Sequence, residues 1–328
     1  MSASVELTPE IAAERLEEAM ARFVGTVDWH AETLAAGLTN RSWIVRIEGA
    51  DPVVAQSLMD ADGARSIGID RERQYAAADL AASLGIAPRM LVRYLDLGVV
   101  ISEFVVGTTF FDATELRPRA IVDIARSLRT LHAVEPDPRF ENDITVPMSG
   151  TRLIRERARS ANPQMFAEFS WAIDPIETVE ELYRGRDLCL LHNDLTDGNI
   201  LVGPVTRLVD WEYCGLGDPY SDLGDFAGKC ELSVDEELVL IEHYQGEYDW
   251  QVHAWLRLYR YINVVREALW GIRMTEIGKS ESDYDAYARF RFAQVGDYIG
   301  GAEFSWAVES LRAGLDLAAE SPSSPRQK

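Results

Sequence analysis

Lysine is almost missing from this chain. Only three occur in 328 residues, Lys229, Lys279 and Lys328, so the first 200 positions carry their side-chain positive charge on arginine. Lysine and arginine together number 32 against 54 aspartates and glutamates, for a formal net charge of −22. That balance argues against nucleic acid or an anionic membrane surface as partner, because counterion release needs a basic footprint. Cysteine is as scarce: Cys189, Cys214 and Cys230 are odd in number and lack C-x-x-C spacing. Neither a disulfide framework nor a zinc site is indicated, and a reducing cytoplasm fits best. No run of about 18 apolar residues occurs, and "MSASVELTPEIAAERLEEAM" has no basic segment followed by an apolar one. The expectation is a cytoplasmic protein with no membrane or nucleic-acid partner. Acidity of this size serves solubility, and it also suits a small cationic substrate.

At 328 residues the chain can bury a sizeable core and divide into two lobes. Thr8 and Pro9 open a helix as cap and first helical residue, and the pattern runs to about Arg22. "SWIVRIEGADPVVAQSL" reads as two β-rich runs about a Gly-containing turn, an antiparallel hairpin. Asp70 caps a further helix through "RERQYAAADLAASLG", which Gly85 ends, with Pro88 beyond. "MLVRYLDLGVVISEFV" adds two strands about Asp96-Leu97-Gly98. Residues 1–104 are thus expected to form a small lobe, a five-stranded antiparallel sheet with one long helix. "FVVGTT", from Phe104 to Thr109, is the connector. From Ala113 the character changes: Ile121, Ile124, Leu128 and Leu131 recur at helical spacing, and residues 105–320 should make a larger, mainly helical lobe. The polar end at 321–328 is expected to be disordered.

Two stretches carry the chemistry, "HNDLTDGNIL" from His192 and "VDWEYCGLGDPYSDLGDF" from Val209. Between them, Ile200 to Val202 and Arg207 to Val209 are short apolar runs around Gly203-Pro204-Val205-Thr206, a hairpin signature. With Ile200 facing Val209, Asn199 and Asp210 flank one open end. Neighbouring strands lie about 4.8 Å apart, so the amide oxygen and the carboxylate can share one hard cation. Mg²⁺ usually keeps waters and takes one or two carboxylates plus substrate phosphates, a role that suits this pair. Asp194, five residues before Asn199, enters the same end and stands apart as a carboxylate able to accept the proton of an attacking hydroxyl. His192 is expected to pack beneath the loop and bond its backbone. H-x-D-x-x-x-x-N alone is a loose pattern, and an unrelated polar hairpin is the bland alternative.

With D-W-E-Y at this distance, the chain resembles the choline/ethanolamine kinase and aminoglycoside phosphotransferase superfamily. "EYCGLGDPYSDLGDF" and "REALWG" resemble its bacterial choline-kinase-like branch in particular, and the likeness extends from "AGLTNRSW" at Ala36 to the helices near Phe292. The resemblance implies an α+β, protein-kinase-like, two-lobed fold, with ATP as donor. It makes Asp194 the catalytic base and Asn199 and Asp210 the metal ligands. "AGLTNRSW" stands where the family's first hairpin covers the phosphates: Gly37 permits close backbone approach, while Thr39, Asn40 and Ser42 offer donors. Glu103, at the end of the last strand before the connector, joins the nucleotide-binding set.

One departure stands out. Kinases of this fold carry a Lys or Arg on the third strand, paired to a helix Glu, and "PVVAQSL" puts Gln56 there, leaving Glu72 as a partner without its cation. A neutral amide can hydrogen-bond phosphate but cannot offset its charge, so Arg41, Arg46 or Arg65 would have to substitute.

For the acceptor, aromatic faces and a carboxylate are what a quaternary ammonium needs. Trp255, Tyr259, Tyr261, Trp270, Tyr284, Tyr287 and Phe290 enrich the C-terminal helices, most of them expected as core. Trp270 and Tyr287 match the family segments best. Glu212, on the strand face of Asp210 if extension persists, would face the cationic head. The expected activity is ATP- and Mg²⁺-dependent phosphorylation of a small cationic amino alcohol, choline or ethanolamine first, an aminoglycoside or another amino alcohol second. A catalytically weakened, nucleotide-binding pseudokinase is the third possibility: Gln56 argues for it and the complete set Asp194, Asn199 and Asp210 against it.

Overall fold

The structure, a computed structural model, describes residues 7–34, 40–277 and 283–320; the tail expected at 321–328 lies outside them. Helix α1 (Pro9–Val24) starts where the sequence indicates, the Thr8 hydroxyl accepting from the Ile11 amide at 3.3 Å and Pro9 filling the first turn. Its stripe of Ala12, Leu16, Ala19 and Met20 is buried against Trp43, Val45, Val53, Ala55, Val99 and Ile101. Each large side chain covered in this way contributes about 1.5–3 kcal/mol. Those partners form one face of a five-stranded antiparallel sheet built from β1 (Trp29–Thr33), β2 (Arg41–Ile47), β3 (Val53–Ser57), β4 (Met90–Tyr94) and β5 (Val99–Glu103) in the order β1-β2-β3-β5-β4. Strand alternation sends Ser42, Val54, Gln56 and Val100 to the opposite face.

Between β3 and β4 lie α2 (Ala61–Ser66) and α3 (Arg71–Ser83). α3 has the expected Asp70 cap, and Gly85 follows it with φ of +73°. The first hundred residues therefore hold the two helices read from the sequence and a third, short one, α2. α2 is too short for its apolar pattern to register, and Asp60 starts it by accepting from the amides of Asp62 and Gly63.

A short strand β6 (Thr108–Thr109) precedes α4 (Arg117–His132), which buries Ile121, Ile124, Leu128 and Leu131. Then come α5 (Ser149–Ala161), α6 (Pro163–Glu168), α7 (Ser170–Ile173), α8 (Pro175–Leu182), β7 (Cys189–Leu191), β8 (Ile200–Val202), β9 (Arg207–Leu208) and β10 (Gly215–Gly217). The chain ends in α9 (Pro219–Lys229), α10 (Val234–Gln245), α11 (Trp250–Ile277), α12 (Tyr284–Ile299) and α13 (Ala302–Glu320). β7 pairs with β10, and β6, β8 and β9 make a small antiparallel sheet.

Contacts divide the chain into two compact units. One takes everything up to Ala120 together with Asp197–Cys214; the other takes Ile121–Thr196 and the chain from Gly215 onward. The boundary between the units thus falls later than 104, and the 200–208 hairpin groups with the first unit, because β6, at the end of the connector, pairs with β8. Gly203 makes that pairing sterically open, since a Cβ there would fall 2.0 Å from the Val106 carbonyl oxygen. The second unit is organised on α11, about 42 Å long at 1.5 Å per residue, with Trp255, Tyr259 and Tyr261 in its core. These three aromatics are packing residues. No helix among the described residues is long and apolar enough to cross a membrane.

Candidate active site

In the second unit, "SDLGDFAGK" puts Asp222, Asp225 and Lys229 at i, i+3 and i+7, one face of α9. That face meets the loop after β7. Asp222, fully buried, accepts from the His192 and Asn193 amides, each at 2.8 Å. Asp225 accepts from the Leu195 amide at 2.6 Å, and the buried His192 ring accepts from the Asp194 amide at 3.3 Å. Four successive loop amides are therefore fixed by side chains. His132 braces Asp222 at 3.2 Å and is itself in contact with the Tyr244 hydroxyl at 2.9 Å. Burial alone would raise the Asp222 carboxyl, but the hydrogen bond and charge of His132 outweigh it and hold it below the ordinary aspartate range. Asn193 takes φ of +64°, a conformation Asn tolerates better than most residues and one found at functional turns.

The Asp194 carboxylate emerges from this loop onto Lys229. The ammonium lies 2.7 Å from Asp194, 3.2 Å from Asp225 and 3.1 Å from Glu267 of α11. Lys229 is 2% exposed and Asp194 20%. Burial would lower the lysine, yet the three carboxylates raise it well above its ordinary value. One ammonium cannot hold three buried acids equally: burial pushes Asp225 up to about 6 in spite of Lys229. Burial also works to raise Glu267, but the Lys229 charge and the Tyr287 hydroxyl, which donates at 2.6 Å, bring it down to about 2. Trp270 stands edge-on to Tyr284 and Tyr287, with centroids 5.7 and 6.0 Å away. Tyr287 is thus tied to the Asp194 cluster through Glu267, and Trp270 through Tyr287, while Phe290 is 58% exposed. Lys229 and Glu267 were not singled out by sequence reasoning. The signals were the D-x-x-D-x-x-x-K spacing and the glutamate of "REALWG" itself.

In the first unit, β8 and β9 pair Ile200 with Leu208 and Leu201 with Arg207. The expected pairing of Ile200 with Val209 is off by one residue, since Val209 donates its amide to the Asn199 carbonyl at 2.9 Å and so lies opposite Asn199. Asn199 and Asp210 still stand at the same end of the hairpin. A carboxamide oxygen and a carboxylate are hard donors that fit Mg²⁺, with water and phosphate oxygens to complete its shell. No group of three or more His, Cys, Asp or Glu among the described residues is placed to hold a metal.

Asp210 has φ of +65°, so extension ends there and Glu212 does not continue on its face. Glu212 is 2% exposed, accepts from the Asn40 side-chain amide at 2.7 Å and pairs with Arg71. It is a structural anchor rather than a carboxylate for the acceptor's head. Asn40 is committed as well, its oxygen accepting from the Met59 amide at 3.1 Å, and is not turned to phosphate. Gly37 and Thr39 lie outside the described residues. Ser42 lies opposite Gln56 across β2 and β3. Glu72 is exposed and is not the helix partner expected for position 56; the buried polar residue of α3 is Gln74, which accepts from Arg71 at 2.8 Å. Of the three proposed substitutes for the missing cation, Arg41 belongs to the α1 face of β2, and Arg46 and Arg65 sit in exposed pairs with Glu32 and Asp62. Arg71, part-buried and paired with the buried Glu212, is an arginine that the sequence reading did not single out. Glu103 pairs with Arg89, whose hydrogen bond holds the carboxyl below the ordinary range.

The model of a family described as phosphotransferase enzymes matches residues 26–259. The protein LicA of Haemophilus influenzae is 29% identical over 136 residues, 38% of this chain but only 40% of that protein, and the match to LicA of a second strain spans 51% of its length. A probable choline kinase 1 of Arabidopsis thaliana is 24% identical over 316 residues, 85% of this chain and 84% of that one. A solved structure of a choline/ethanolamine kinase family protein from Mesorhizobium loti is similar with a TM-score of 0.76 at 23% identity, covering 92% of this chain and all of that one, 100%. The likeness shows the fold class expected from sequence, an α+β protein-kinase-like architecture with an antiparallel-sheet unit and a mainly helical one.

Proposed function

Because the chain belongs to the phosphotransferase enzyme family, we propose that it is an ATP- and Mg²⁺-dependent kinase that phosphorylates the hydroxyl of a small cationic amino alcohol, choline or ethanolamine. The observation that carries this reading is the loop of Asp194. Four consecutive amides are held by Asp222, His192 and Asp225, while the Asp194 side chain remains one-fifth exposed at 20%. A fixed backbone beneath an accessible carboxylate is what a general base needs. Asp194 accepts the hydroxyl proton as the acceptor oxygen forms its bond to the γ-phosphorus and the bond from that phosphorus to the β,γ-bridging oxygen breaks, releasing ADP. Asn199 and Asp210 would hold Mg²⁺, which when bound offsets phosphate charge. Ser42 and Gln56, on the sheet face away from α1, are the described candidates for nucleotide contact. The acidic cluster of Asp194, Asp225 and Glu267, with Tyr287 and Trp270 beside it, supports a cationic acceptor. So do the names of the choline kinase relatives.

The test is ADP release by the purified chain with ATP and MgCl₂ over a panel of choline, ethanolamine, an aminoglycoside and a neutral alcohol. Release above the acceptor-free blank with choline or ethanolamine, abolished by Asp194→Asn, is the expected result. No stimulation by any acceptor would overturn the reading.

A further inference from the structure

Lys229 is the one lysine among the described residues. Its side chain is 2% exposed, and its three N–H donors are matched by three carboxylates, Asp194 at 2.7 Å, Asp225 at 3.2 Å and Glu267 at 3.1 Å. A helix that needed only a stable core would place an apolar side chain here, since burying an ammonium with three acids carries a large desolvation cost. The three carboxylates also form the environment that a small organic cation would seek, with the proposed base on one side and Glu267, hydrogen-bonded to Tyr287, on the other. The aromatic wall repeats the arrangement: the Arg291 guanidinium lies 5.2 Å from the Tyr287 ring centroid, the position a ligand ammonium would take. Cations of the chain itself thus stand at both features of the wall that recognise a cation.

We propose that Lys229 is a specificity-determining residue of the acceptor site: its tethered ammonium holds the cation position formed by Asp194, Asp225 and Glu267, so a cationic acceptor meets its repulsion whereas an uncharged alcohol does not. The inference rests on the kinase reading and adds how tightly that kinase takes its acceptor. The Arg266 and Arg291 guanidiniums also act on Asp225 and Glu267, but Lys229 is the cation in direct contact with all three carboxylates and so sets the like charge that an incoming cation meets. Lys229 also positions Asp194, so its loss should separate affinity from turnover.

The experiment uses choline and its neutral carbon isostere, 3,3-dimethylbutan-1-ol, in calorimetric titration and in ADP-release kinetics. Lys229→Met should lower Kd and KM for choline by about tenfold or more, the effect of removing a like charge at close range. It should leave those of the isostere within about twofold and reduce kcat for both. Lys229→Arg, which retains the charge, should keep the wild-type ratio of the two ligands. An unchanged ratio in Lys229→Met, or equal shifts for both ligands, would overturn the assignment. Should Lys229→Met fail to fold by circular dichroism, Glu267→Gln decides: choline binding should weaken about tenfold with the isostere spared, and equal weakening would again overturn it. If wild type turns over no acceptor while the binding ratio still shifts, the kinase reading falls and Lys229 keeps its role. Turnover with an unshifted ratio removes Lys229 alone.

Discussion

Asp194 and Arg71 show how differently two charged side chains can be read. Asp194 lies in a spaced motif, and its neighbours in the chain, His192 and Asn199, announce a loop with a job. Asp194→Asn keeps size and removes proton acceptance, so kcat should fall by roughly 10² or more while circular dichroism shows the fold retained. Unaltered turnover would take Asp194 out of the mechanism. Arg71 carries no such motif, yet it is the cation that meets the buried Glu212. Arg71→Met leaves that carboxylate without its charge partner and should cost about 3–5 kcal/mol in urea unfolding, much of it recovered in Arg71→Met/Glu212→Leu, because a matched apolar pair replaces a buried ion pair at little loss. From sequence, Glu72 is the acidic residue early in the Asp70 helix that could partner position 56. Helix phase decided otherwise, turning position 74 inward and 72 to solvent.

α9 is where the second unit concentrates its demands. One face carries Asp222, Asp225 and Lys229, and the opposing requirement is close approach to α11 at Gly224, where a Cβ would fall 2.5 Å from the Tyr259 Cβ and 2.6 Å from the Arg260 amide nitrogen. Gly224→Ala should therefore push the two helices apart, lowering stability by about 1–3 kcal/mol and reducing kcat through the displaced Asp222 and Asp225. A melting curve and kcat that both match wild type would refute this. Helices and caps were legible here from period and end signals, as α1, α3 and α4 show. The 200–208 hairpin was legible as a hairpin, but its register was not, since the Gly-Pro turn permits either alignment and one amide bond to Asn199 selects between them.

For the molecule as a whole, a net charge of −22 makes acid response a matter of which carboxylates fold into partnerships. Glu267 is the clearest case. Its folded value near 2 lies below the ordinary 4.5, so it contributes stability that is complete above pH 4.5 and lost as pH falls toward 2. Glu267→Gln should lower stability at pH 7 and flatten the decline between pH 4.5 and 2, measured by denaturant unfolding across that window. An identical slope in wild type and variant would show that Lys229 does not hold Glu267 ionised. Asp225, raised to about 6, acts in the opposite sense, its ionisation opposing the folded state as pH rises from 3.8 through 6.

Short-range physics was readable without a structure. Capping at Thr8 and Asp70, apolar recurrence through Ile121 to Leu131, and the spacing of Asp194, Asn199 and Asp210 all depend on residues within a few turns of one another. Partnership across the chain was not readable. Arg71 and Glu212 are 141 positions apart, and Lys229 finds Glu267 only because α9 packs on α11. Periodicity says which face of a helix is buried, but the identity of what it is buried against is set by how the elements pack.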